Sequence, residues 1–247
     1  MTIDWRGHGL IPPRTHPLGK LLRLPLALLP RDSVVPILAG PLRGKKWVVG
    51  SSVHGCWFGS YESQKQRFVA EALRPGQVVY DVGANVGLYS LLASGAVGPN
   101  GSVFAFEPVT ENVFYLERHL ALNGISNCTI VRAAACAQDG TRQFDILDDR
   151  SRGRLSADGT ESVPTIRLDS FHEADRERRR PHFVKIDVEG GEAEVLEGAV
   201  ALLKENSLIV SVATHSSELD VYCNRLLTSL GYSVRQIGAY DLWATKD

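Results

Sequence analysis

Short apolar runs alternate with longer stretches of helical period from about position 77 to the end of the chain. Val78–Tyr80, Ser102–Phe106, Thr129–Ala134, His182–Val188 and Ser207–Ala213 are rich in β-branched and aromatic residues. They are too short for stable helices and predict buried strands. Between them, Leu88–Ala96, Val109–Leu122, Gly191–Leu203 and a stretch from Ser217 to Leu230 carry apolar positions three and four apart and predict helices. Asn123-Gly124 and Gly231 supply stop signals for two of these. Thr141–Leu147 and Val163–Leu168 predict further short strands, with a polar loop over 148–161 between them, and 170–180 predicts a solvated helix of mixed charge. Tyr232–Ile237 and Tyr240–Ala244 predict a terminal antiparallel pair. Strands alternating with helices over this length predict an α/β fold with a mostly parallel, doubly wound sheet.

Upstream the pattern changes. Prolines at 12, 13, 17, 25, 30, 36 and 41 make residues 1–45 an irregular, proline-rich extension. Leu18–Pro30 is apolar, but Pro25 interrupts any long amphipathic helix, so packing on the main domain or on a second subunit is preferred to a membrane surface. An exchanged arm of this kind would make a homodimer. Residues 46–76 predict a hairpin, Lys46–Gly50 with Val53–Phe58, followed by a helix from Glu62 to Leu73, both packing on a core domain at 77–247.

Composition narrows the class. The 247 residues are 44% hydrophobic, ample for one large domain, and the net charge is -1. No global field favours nucleic acid. Four cysteines without a Cys-x-x-Cys pair read as reduced residues of a cytoplasmic protein. No apolar run reaches the ~18 residues of a membrane span.

The chemistry centres on Val78–Leu88, where an apolar strand ends in Asp81 and Gly83 and Gly87 bracket a tight turn ahead of a helix. This is a cofactor cradle at the carboxyl edge of a sheet. Asp81, Glu107 and Asp187 each end a strand, and Glu107 follows the turn at roughly the twenty-residue spacing of a ribose-binding acid. A dinucleotide fingerprint wants a middle glycine where Asn85 stands. Asp81 would repel a pyrophosphate and suit the cationic end of S-adenosylmethionine. Methyl transfer is therefore the expected chemistry.

Val79–Ser90, Phe106-Glu-Pro108, Asn112, Leu122–Gly124 and the run from Val184 to Gly198, with Tyr61-Glu62 ahead of the turn, together resemble the FkbM family of S-adenosylmethionine-dependent methyltransferases. The resemblance covers about residues 59 to 231. It implies a Rossmann-like class I methyltransferase fold and O-methylation of a hydroxyl on a small acceptor, often a sugar or secondary metabolite. It also implies cofactor contacts from Glu62, Asp81, Gly83, Ala84, Asn85, Gly87, Glu107, Pro108, Asn112, Ala133, Ala134 and Asp187. Glu189 would face the acceptor. The family often has Glu-x-His after the strand that follows; here it is Ala213-Thr-His215, so the histidine is kept and the acid is absent.

Methyl transfer to a hydroxyl needs a base, and His215 has the most suitable ordinary pKa. Asp187 is the rival, with Lys185 two residues away on the same strand face as its orienting partner. His54 and His215 are candidates for acceptor contact. Asp187 and His215 lack a third ligand, so no metal is assigned. Two other readings stay open: a cofactor-binding fold without catalysis that serves as a protein-interaction module, and an NAD-dependent oxidoreductase.

Overall fold

The computed structural model describes residues 29–146, 153–156, 158–175 and 180–246. Residues 1–28, which hold most of the expected arm, lie outside them. So do 147–152 and 157 of the polar 148–161 stretch, and 176–179 of the mixed-charge segment.

The central sheet contains β3 (Val78–Val82), β4 (Ser102–Phe106), β5 (Cys128–Val131), β10 (Phe183–Ile186), β11 (Ile209–Ala213), β12 (Ser233–Gly238) and β13 (Asp241–Thr245). Its order is β12-β13-β11-β10-β3-β4-β5. Strands β5, β4, β3, β10 and β11 pair in parallel, whereas β13 runs antiparallel to both β11 and β12. The sheet is therefore mixed but mostly parallel, and the order reverses direction beside β3, where such sheets leave a crevice.

Alternation along each strand builds two cores. Val79, Val103 and Phe183 face α2 (Ser63–Ala72), α3 (Leu88–Val97) and α4 (Thr110–Leu122). Tyr80, Phe106, Val184, Val210 and Leu242 face the other side, which is covered by α5 (Leu168–Glu173), α6 (Glu192–Glu197), α7 (Val200–Glu205) and α8 (Ser217–Ser229). Helices on both faces explain why these strands read as nearly continuous apolar runs.

Four expectations need correction. Val53–Phe58 is no strand; Gly55–Phe58 forms a single helical turn, α1, closed by Gly59 at φ +73°. The partner of β2 (Lys46–Val48) is β1 (Val34–Pro36), inside the proline-rich stretch read as irregular. Proline is tolerated there because an edge strand has no need of every N–H. Within the polar stretch 148–161, β8 (Gly153–Leu155) pairs with β7 (Gly140–Ile146). Together with β6 (Ala134–Ala135) and β9 (Glu161–Ile166) they form a second, four-stranded sheet. The helix expected over Gly191–Leu203 is two helices, α6 and α7, broken at Gly198 and Ala199. A Cβ on Gly198 would lie 2.0 Å from the Cys136 carbonyl oxygen, so another segment occupies the space a continuous helix would need.

Candidate functional site

At the carboxyl edge of β3, β4, β10 and β11 lies a cavity of about 610 Å³. Glu62, Gly83, Ala84, Asn85, Glu107, Pro108, Asn112, Ala134, Lys185, Asp187, Glu189 and His215 line it, gathered from segments up to 153 positions apart. Asp81, Gly87, Ala133 and His54 do not line it.

The exclusion of Asp81 follows from strand register. Lys185 stands directly beside Asp81 across the parallel β10–β3 pair, and both side chains point to the α3 side. Asp81 is 1% exposed and lies 3.1 Å from the Lys185 Nζ, and it accepts a 2.6 Å bond from the Ser90 hydroxyl. Its charge is compensated inside the protein and does not face a cationic ligand. Lys185 also donates to the Gly83 carbonyl at 2.8 Å, so the pair braces the glycine turn from below. Asp187, the partner expected for Lys185, is more distant at 3.9 Å. His54 accepts from the Trp57 indole at 3.1 Å and packs edge-on to it.

The turn over residues 83–87 consumes its own N–H groups. Gly83 and Ala84 both donate to the Phe106 carbonyl, Asn85 to Glu107, Val86 to the Asn85 side chain and Gly87 to the Ala84 carbonyl. A pyrophosphate cradle needs such N–H groups free to point at the ligand. This turn offers none of the five to a ligand. Gly83 has φ +74°, and a Cβ would meet the Asp187 carbonyl oxygen at 1.9 Å. Glycine is thus required by the close approach of β10's end, in addition to any ligand.

Glu107 sits just past β4 and is 4% exposed. Burial raises its carboxyl above the ordinary range, opposed by the bonds it accepts from Asn112, Val109 and Asn85 at 3.0, 3.0 and 2.8 Å. A carboxylate accepts about four hydrogen bonds, so these three leave about one acceptor position open to a further donor.

The other end of the cavity holds His215. Its Nδ1 lies 2.8 Å from the Glu192 carboxylate, while Nε2 lies 3.7 Å from Asp187 and 3.5 Å from Glu189. The Glu192 hydrogen bond raises the imidazole above its ordinary pKa; burial opposes this, and the Asp187 and Glu189 charges add to it. Glu192 is fully buried and also accepts from the Gly190 N–H at 3.1 Å. Its place in the first turn of a helix suggests only dipole compensation in the sequence, and no one-dimensional pattern shows that the turn packs under His215. Lys65, Tyr89 and Asp241 were likewise not legible. Lys65 lies 2.8 Å from Asp241, and Tyr89 donates to Glu62 at 2.7 Å. Burial works against the Lys65 charge, but Asp187, Glu62 and Asp241 hold its ammonium above the ordinary value.

Glu62, Asn85 and Glu189 are the non-glycine residues with positive φ among those described, at 45°, 52° and 55°. All three line the cavity. Such backbone costs of order 1–3 kcal/mol per residue and persists where surroundings fix it, commonly at ligand sites. Among the described residues no group of three or more His, Cys, Asp or Glu is arranged to hold a metal ion, and no helix is long and apolar enough to cross a membrane.

A hexuronic acid methyltransferase of Haloferax volcanii, AglP, is 30% identical over 160 residues, covering 63% of this chain and 64% of that protein. The chain therefore spans less than two thirds of that relative. A SAM-dependent O-methyltransferase of Thermotoga maritima superposes with a TM-score of 0.51 at 13% identity, over 90% of this chain and 80% of that one. A precorrin-6y C5,15-methyltransferase of Geobacter metallireducens superposes with a TM-score of 0.50 at 16% identity, over 74% and 89%. These two show a shared class I methyltransferase-like α/β fold. The methyltransferase FkbM domain matches residues 81–234, more than half of the chain, and S-adenosylmethionine is the cofactor expected of it. The chain belongs to the FkbM methyltransferase family.

Proposed function

We propose that this protein is an S-adenosylmethionine-dependent O-methyltransferase acting on a hydroxyl of a small molecule, of the sugar or secondary-metabolite class. The observation that carries the proposal is the pairing, across one cavity, of a buried ribose-type acid, Glu107, with a histidine held by a buried carboxylate, His215 on Glu192. The similarity to a hexuronic acid methyltransferase supports a sugar-like acceptor.

When bound, the cofactor supplies a methyl group on a cationic sulfur, already attached to a good leaving group. What remains for the protein is orientation and removal of the acceptor's proton. Glu107 accepts a ribose hydroxyl and fixes the nucleoside end, with Pro108 and Ala134 beside it. Glu192 accepts the Nδ1–H of His215, which leaves Nε2 as the basic atom. That nitrogen faces Asp187 and Glu189 and takes the hydroxyl proton as the oxygen attacks. Asp187 orients the acceptor and stabilises the imidazolium that forms. Lys185 acts from below, by holding the Gly83 turn against β10.

Labelled cofactor incubated with a panel of hydroxylated glycosides tests this reading. His215→Ala is expected to lower turnover by about 10²–10⁴-fold, the usual contribution of a positioned base, with cofactor affinity unchanged. Turnover that survives the substitution would remove His215 from the base role. Cofactor binding without transfer to any member of the panel would favour a non-catalytic module.

A further inference from the structure

Lys65 stands where local rules disfavour it. It lies in the first turn of α2, where a cation opposes the helix dipole. It shares the inward face with Phe68 and Val69, three and four positions on, and is only 7% exposed. A buried ammonium persists only where carboxylates compensate it. Here they come from two other elements. The Asp241 Oδ1, at the start of β13, lies 2.8 Å from the Lys65 Nζ, and the Asp187 Oδ2, just past β10, lies 3.9 Å from it. Both carboxylates line the cavity, and Lys65 lies behind them.

The two oxygens of Asp187 are divided between different partners. Oδ2 lies 3.9 Å from the Nζ of Lys65 and 3.9 Å from that of Lys185, while Oδ1 lies 3.7 Å from the His215 Nε2. Lys185 is nearer to Asp81, at 3.1 Å, and donates to the Gly83 carbonyl. Lys65 is therefore the cation that links Asp187 to β13. That strand is in turn joined to the segment bearing His215. Asp241 stands beside Ala213 in the antiparallel β11–β13 register, and the Tyr240 carbonyl accepts from the Thr214 N–H and hydroxyl at 2.7 and 3.2 Å. Lys65 and Asp241 both fall outside residues 81–234, the part matched by the FkbM domain.

We infer that Lys65 is a positioning residue for the reaction: its ammonium ties Asp187 to Asp241 and so holds the Asp187 Oδ1 toward the His215 Nε2. This deepens the proposed methyltransferase reading and rests on it, since the Asp187–His215 contact matters for turnover only if the acceptor's proton is taken there.

The test is a titration of His215 in the full chain, by NMR of nitrogen-15-labelled histidine, with the signal assigned from its loss in His215→Gln. Glu192 and Glu189 also face the imidazole, and both are left unchanged. Asp187→Asn should lower the His215 pKa, because the Asp187 charge adds to it. In a Lys65→Met background the same substitution should lower it by no more than half as much, since an untied Asp187 no longer keeps its place. A lysine acting only as a nearby charge, or only in stability, would give an equal or larger drop, which would overturn the inference. Circular dichroism checks the fold of each variant, and Lys65→Gln takes the place of Lys65→Met should the latter not fold. Turnover on whichever glycoside of the panel accepts the methyl group should fall at least tenfold in Lys65→Met, with S-adenosylhomocysteine affinity unchanged. Undiminished turnover would also overturn the inference. No transfer by the wild type to any glycoside would instead count against the methyltransferase reading, and the titration would still decide whether Lys65 holds Asp187.

Discussion

At the scale of single residues, the site depends on a carboxylate whose role the sequence conceals. The family pattern places an acid two positions before the histidine, and here Ala213 stands there. Glu192 reaches His215 from a different element, so the imidazole keeps a carboxylate partner despite the missing one. Glu192→Gln should let the His215 pKa fall toward its ordinary value. Since His215 must be unprotonated to act as base, the acidic limb of the pH–rate profile should then move to lower pH. Cofactor affinity should stay constant, and an unmoved limb would show that His215 does not control the rate. Residue-level legibility was good where one position sufficed. Glu107, Asn112 and His215 were all readable as candidates. It failed for Asp81, whose partner Lys185 becomes a neighbour only once strand register is known. Removing that partner should be severe. Lys185→Met leaves a buried, uncompensated carboxylate, expected to cost about 3–5 kcal/mol in chemical denaturation, with Asp81→Asn in the same chain restoring much of the loss.

At the scale of elements, the strands were legible because their apolar runs are short and bounded, while breaks imposed by tertiary contacts were not. The helix over 191–203 keeps its apolar period through Gly198, so its pattern gives no reason to stop. What divides it is Cys136 against Gly198 and a cap supplied from outside. The Asp169 carboxylate accepts from the backbone N–H groups of Leu202 and Ala201 at 2.9 and 3.2 Å, at the start of α7. Asp169→Ala should destabilise the fold by about 1–2 kcal/mol, the range for loss of an N-cap, with Asp169→Asn milder. Thermal or urea unfolding reads this directly, and an unchanged midpoint would mean that the carboxylate does not cap α7. The misplaced hairpin has a similar origin. A Cβ on Gly59 would meet the Ala39 carbonyl oxygen at 2.0 Å, a contact that closes α1 and appears nowhere in the local pattern.

At the scale of the whole molecule, the β1–β2 segment is tied to the main domain through α4. Trp47 stacks on His119 with ring centroids 3.8 Å apart, His119 Nε2 accepts from the Val48 N–H, and Asn123 bonds both backbone groups of Lys46. His119 is fully buried, and burial pushes its pKa down from 6.5 to about 4. Protonation would set a second N–H against the Val48 N–H. Between these values the unfolded chain binds a proton that the folded chain refuses. Stability is therefore full above about pH 6.5 and declines as pH falls toward 4, by about 3 kcal/mol at most from this residue. Urea unfolding of the wild type and His119→Gln across that range should show the slope in the wild type and a smaller one in the variant. None of this tie was visible in sequence, because Trp47 and His119 are 72 positions apart and neither sits in a motif. The most direct measurement remains calorimetry of S-adenosylmethionine against the wild type and Glu107→Ala, with NAD as the control. Binding in the micromolar range that weakens at least tenfold in the variant, with no response to NAD, is the expected result. Equal affinity in both proteins, or binding of NAD in its place, would contradict the assignment of this cavity.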